Sequence, residues 1–170
     1  VFGLPPMLFP MHVVLIELVI DPVCSLVFES EPSERDAMKR PPRPPDESLF
    51  GARVLVFGLL QGAIILAAIL CLYAGGLAYG LPAPQARAGA FVALIAANLV
   101  LAFADSAEVG TSFFDRRRMP FWAIASAATA IIVVILLVPY LSRMFAIAPP
   151  PPPVLGIALA VALVAGGWYG

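Results

Sequence analysis

Glu17 and Asp21 are the residues of this chain best placed to do chemistry. They sit in an otherwise apolar stretch, LIELVIDPVCSLVFES, residues 15–30. A spacing of four puts them on one face of a helix, one turn apart. Cys24 and Ser25 continue that face. Pro22 follows at once. It has no N–H, so the carbonyl of Leu18 loses its normal helical partner. Two carboxylates and a freed carbonyl make an all-oxygen cluster. Such a cluster suits a hard divalent cation: calcium, magnesium or manganese. Carboxylates this close repel unless a proton or a cation lies between them, so cation binding is expected to be coupled to proton release. The competing reading is an acidic pair that only bonds neighbouring helices.

The remaining polar residues carry weaker signals. Asn98 lies in the middle of the third apolar run, 90–108, and offers either a ligand oxygen or a bond across helices. His12 stands near the start of the acidic helix with no metal-ligand partner at suitable spacing, and reads as an interfacial histidine. Asp105 and Glu108 read as solvated acids at a helix end. Gly58 and Gly62 form a GxxxG, which allows a second helix to approach closely. Cys24 and Cys71 have neither zinc-site nor disulfide-framework spacing and read as buried, reduced thiols.

The elements that must position these groups follow from composition. The chain is 61% hydrophobic and 12% charged, against about half apolar and a quarter charged in soluble domains. Five apolar runs stand out, about 7–28, 54–75, 90–108, 121–141 and 152–168. A spanning helix needs about 20 residues. None of the runs alternates with period two, which excludes a transmembrane barrel and leaves helices. The expected fold is therefore all-α: a polytopic membrane bundle of about five transmembrane helices in a lipid bilayer, forming one domain over residues 1–170. Loops 29–53 and 109–120 hold eight of the ten Lys and Arg residues, Arg87 and Arg143 being the others. Short basic loops face the cytoplasm, so Val1 is expected outside and Gly170 inside. Tyr79, Tyr140, Trp122, Trp168 and Tyr169 fall near run ends, as interfacial aromatics do. Gly75, Gly76 and Gly80 are expected to mark the outer turn after the second helix. PPRPP at 41–45 is expected to be extended chain, and the five prolines at 149–153 a stiff hinge.

The sequence has no GxxxxGK[ST] loop, no GxGxxG opening a helix after a strand and no HExxH. The chain alone is therefore not expected to hydrolyse ATP, and no nucleic-acid partner is expected.

ELVIDPVCSLVFESEPSERDAMKRPPR, residues 17–43, resembles the sixth transmembrane helix and following loop of P-type cation-transporting ATPases of the calcium-pump-like kind. Those carry an N-L-V-T-D-G core followed by a segment like E-P-P-x-x-D-I-M-x-R-P-P-R. ANLVLAF, residues 97–103, resembles the family's eighth helix. The resemblance spans the whole chain and implies helices six to ten. It implies that Asp21 takes the place of the family's Asp ligand, with Glu17 where calcium pumps have Asn. It also places Ile20 where they have Thr, Pro22 where they have Gly, and Ile95 where they can carry an acid. These departures point to one site, or to a different cation. The implied metal ligands are Glu17, Asp21 and Asn98, for a transported divalent cation. The resemblance further implies a partner: an N-terminal part with helices one to five, a DKTGT phosphorylation loop, an actuator loop and a nucleotide domain, where Mg-ATP would bind. The chain is thus expected to be a fragment or partial subunit of an ATP-driven pump, with loop 29–53 contacting the catalytic part. Its Ala-, Pro- and Arg-rich composition suggests a bacterial plasma membrane. The alternatives are a stand-alone small membrane transporter, a regulatory subunit, or a scaffold whose acids are vestigial.

Overall fold

The structure, a computed structural model, describes residues 3–22, 25, 51–105 and 119–167, and only the backbone at 53, 54 and 105. The described residues form six helices and no strand: α1 Pro10–Pro22, α2 Ala52–Ala78, α3 Ala83–Asp105, α4 Met119–Leu137, α5 Pro139–Met144 and α6 Pro152–Gly167. Three are long and apolar enough to cross a membrane: Leu55–Ala78, Ala83–Ala104 and Met119–Leu137. The all-helical expectation holds.

Prolines and glycines set the helix ends. Pro84 sits in the first turn of α3, where its missing N–H is no loss. The helix thereby starts seven residues ahead of the apolar run at 90 and takes in Gln85 and Arg87. The run at 121–141 is cut in two. Pro139 cannot donate to the residue 135 carbonyl, and it forces Val138 into an extended conformation, φ −88° and ψ 111°. Pro139 then opens α5 at its first position.

α2 runs through Gly75 and Gly76 and closes at Gly80, whose φ is +83°. Leu81 N–H donates to the Gly76 carbonyl and Gly80 N–H to Leu77, both at 3.0 Å. This is a Schellman closure. Of the three glycines, only Gly80 makes the turn. α5 closes the same way, with Ile147 N–H on Ser142 at 2.9 Å and Ala146 N–H on Arg143 at 3.0 Å. Here the left-handed position holds Ala146, φ +49°, at a cost of about 1 kcal/mol over glycine.

α3 is the central helix. Sixty-one per cent of its span is buried, against 17% for α2 and for α4. Its buried residues fall into two stripes at helical spacing. Ala86, Ala90, Ala93 and Ala97 meet α2 and α6 through Ile65, Ile69, Ala158 and Ala162. Ala88, Phe91 and Ile95 meet α1 and α4 through Leu15, Val19, Ala128 and Ile135. Small residues let α6 lie close on α3. A Cβ at Gly166 would stand 2.8 Å from the Ala97 carbonyl oxygen.

Gly58 and Gly62 do not play that part here. Nothing lies within 4 Å of a Cβ built at either, and α2 leaves that face open among the described residues. Gly58→Ala is therefore expected to stabilise α2 by about 0.5–1 kcal/mol through backbone entropy. A rise in melting temperature in detergent checks this. A fall would reveal another helix seated on Gly58.

Candidate functional site

α1 presents two unlike faces. His12, Leu15 and Val19 are its buried residues, at spacings of three and four. They rest against Phe91 and the α3–α4 cluster. Glu17 and Asp21 project from the opposite side and are exposed, together with Val13, Val14 and Leu18. Geometry requires this, since residues two and six positions past Leu15 lie about 160–120° round the helix from it. The two acids therefore share one face, as expected. Among the described residues neither has a hydrogen bond or ion pair, and no cluster of three His, Cys, Asp or Glu forms.

Asn98 is half-buried on α3. Its Nδ2 donates to the Leu94 carbonyl at 2.8 Å, one turn back. No hydrogen bond links it to Glu17 or Asp21, and its Oδ1 has none among the described residues. Cys24, Glu108, Arg116, Arg117, Arg118, Trp168 and Tyr169 lie outside the described residues, as do loop 29–50 and the PPRPP segment.

The end of the bundle where α1 starts holds polar groups whose burial the sequence alone does not show. His12 is fully buried within the bundle. Its ring lies 4.9 Å from that of Phe91 and 5.9 Å from those of Phe9 and Phe145. Its Nδ1 accepts from the Phe9 N–H at 2.9 Å, while Phe9 O accepts from the His12 N–H. The imidazole thus makes one half of a capping box, the N3 side chain accepting from the N-cap N–H, as glutamate does elsewhere. Nδ1 must then carry the lone pair. Nε2 has no partner in hydrogen-bond geometry, although the Phe145 backbone lies nearby.

Arg87 is not a loop charge. It is 5% exposed and inside α3, because the helix starts early. Its Nε and Nη2 donate to the Pro6 carbonyl at 3.0 and 2.9 Å, and Nη1 donates to the Ala146 carbonyl. The guanidinium lies 4.7 Å from the Phe9 ring centre, a cation–π distance. Tyr73 Oη donates to the Pro5 carbonyl at 3.0 Å. The sequence signal for Arg87 was its place one turn inside a proline-started helix.

Cys71 is exposed, contrary to its expected burial. It borders a groove of about 680 Å³ between α2, α3 and α6, also lined by Gly75, Tyr79, Leu81 and Val154. No carboxylate lines that groove among the described residues. Exposed Tyr79 and Tyr140 mark helix ends at the Arg87 side of the bundle, as interfacial aromatics do.

No curated protein matches the chain. The family described as cation transporting ATPase, C-terminus, matches over residues 5–169. A membrane-type bundle whose first helix bears an acidic pair is thus placed in its lineage, and the chain belongs to the C-terminal regions of cation-transporting P-type ATPases.

Proposed function

We propose that the chain forms part of the transmembrane cation-binding and translocation path of an ATP-driven, calcium-pump-like cation pump. Glu17 and Asp21 are its charged ligands, and Asn98 supplies a carboxamide oxygen from α3. The observation that carries this reading is the pair of carboxylates on a helix face that no described helix covers. A carboxylate at the centre of a spanning helix costs about 3 kcal/mol against lipid. Two of them about 6 Å apart repel by a further ~3 kcal/mol at an effective dielectric of about 20. Such a face needs a polar cover and a counter-charge. The N-terminal helices of the pump supply the cover, and a divalent cation supplies the charge.

Alternating access follows from that arrangement. α1 is the ligand-bearing helix and rests on the bundle along a single stripe, so it is free to tilt when the catalytic part is phosphorylated. The catalytic part, its Mg-ATP and the remaining ligands belong to the N-terminal region. A bacterial plasma membrane is the proposed location. The test is Glu17→Gln in the full-length protein, reading ATP turnover against calcium, magnesium and manganese in turn. The half-saturating concentration of the transported ion is expected to rise tenfold or more, since a carboxamide keeps the oxygen and loses the charge. An unchanged concentration for all three ions overturns the assignment of Glu17.

A further inference from the structure

We propose that Arg87 is a positioning residue for the cation site. Its grip on the Pro6 carbonyl sets the height of α1 in the bundle, and so the depth of Glu17 and Asp21. This rests on the cation reading above.

The argument starts from what holds α1. Its buried stripe beyond His12 is Leu15 and Val19, both apolar. Burying apolar contacts inside a bilayer gains little, because lipid tails are as apolar as the side chains. Directional bonds to the rest of the bundle therefore weigh heavily in fixing the axial position. Those described both lie ahead of its N-terminal end: Arg87 on Pro6 and Tyr73 on Pro5. Arg87 makes the stronger of them, a charged guanidinium chelating one carbonyl with two N–H groups.

The same guanidinium holds the other side of the joint. Nη1 donates to the Ala146 carbonyl, in the turn where a left-handed alanine closes α5. Two residues on, Ala148 N–H donates to the Pro84 carbonyl of α3 at 3.1 Å. Arg87 thus joins the segment before α1, helix α3 and the α5–α6 connection at one point. A helix is a stiff rod rising 1.5 Å per residue, so Glu17 and Asp21 stand about 10 and 16 Å beyond Pro10. A shift at the joint reaches them undiminished, and a misplacement of about 1 Å at a reacting site can cost a factor of about 100.

The experiment uses the full-length protein with Cys24 and Cys71 replaced by Ser. Spin labels go at Pro10→Cys at the N-terminal end of α1, about 10 Å from Glu17 along the helix, and at Leu163→Cys on α6, both exposed positions. Arg87→Gln is expected to broaden or displace the label–label distance distribution. It is also expected to raise the half-saturating concentration of the transported ion at least tenfold, with turnover at saturation within twofold. Arg87→Lys, which keeps the charge and cannot chelate, is expected to do the same more weakly and guards against misfolding of the first variant. Unchanged distances in both variants overturn the inference and leave the cation reading intact. Displaced distances with an unchanged half-saturating concentration also overturn it, leaving Arg87 a structural clamp only. If Asp21→Asn leaves the ion dependence untouched, the cation reading itself fails, whatever the labels report.

Discussion

Asp21→Asn in the full-length pump is expected to abolish cation-stimulated ATP turnover. Asn keeps the size, the helix position and one oxygen, and removes the charge. At a ligand distance of about 2.4 Å, a unit charge and a divalent cation attract by more than 10 kcal/mol at an effective dielectric of about 20. Desolvation offsets much of this. A remainder of only about 4 kcal/mol still corresponds to a thousandfold weaker affinity. The α1 face makes the loss hard to rescue, since Glu17 alone among the described carboxylates stands beside Asp21, and no third joins them. The assay is turnover against ion concentration in reconstituted vesicles, with nucleotide binding as the control that the protein is folded. A curve that overlays the unsubstituted protein sinks the ligand role of Asp21.

Much of the fold could be read from run lengths alone, because a bilayer leaves the backbone only helices to form. α2 and α4 begin close to where their apolar runs do. What run lengths missed were places where one residue outranks hydropathy. Pro139 splits the fourth run, as its ring and missing N–H dictate. Arg87 stands ahead of the apolar run at 90, where a basic residue looks solvated. Only the proline-led start of α3 draws it inward, and only carbonyls from segments 59 and 81 residues away satisfy it. The burial of His12 is equally non-local, as three phenylalanines from separate helices and turns close over it. The acidic pair was legible because a spacing of four is a purely local fact. What covers it is a tertiary question, and local pattern carries no information on that.

The glycine pattern leads to the second large effect, Gly166→Val. A GxxxG in α2 drew attention by its spacing, yet the close helix crossing is made by a glycine near the end of α6 against a run of alanines in α3. The sequence does carry that signal, as small residues at 86, 90, 93 and 97 facing others at 158, 162 and 165. It is easily overlooked, because alanine is also the commonest filler of apolar helices. At Gly166 a Cβ meets the Ala97 carbonyl oxygen at 2.8 Å and Val100 Cβ at 3.1 Å. The first of these is backbone inside a helix and cannot move aside, so α6 has to back away from α3. Overpacking of this kind costs about 1–3 kcal/mol, and valine adds a second branch in the same gap. The full-length protein is expected to melt several degrees lower in detergent. Gly89→Ala is the matched control: its new Cβ meets only the side chain of Val154, at 3.1 Å, which can rotate away. A Gly166→Val protein as stable as the parent would mean that α6 does not lie on α3 at this distance, and the central place of α3 would have to be given up with it.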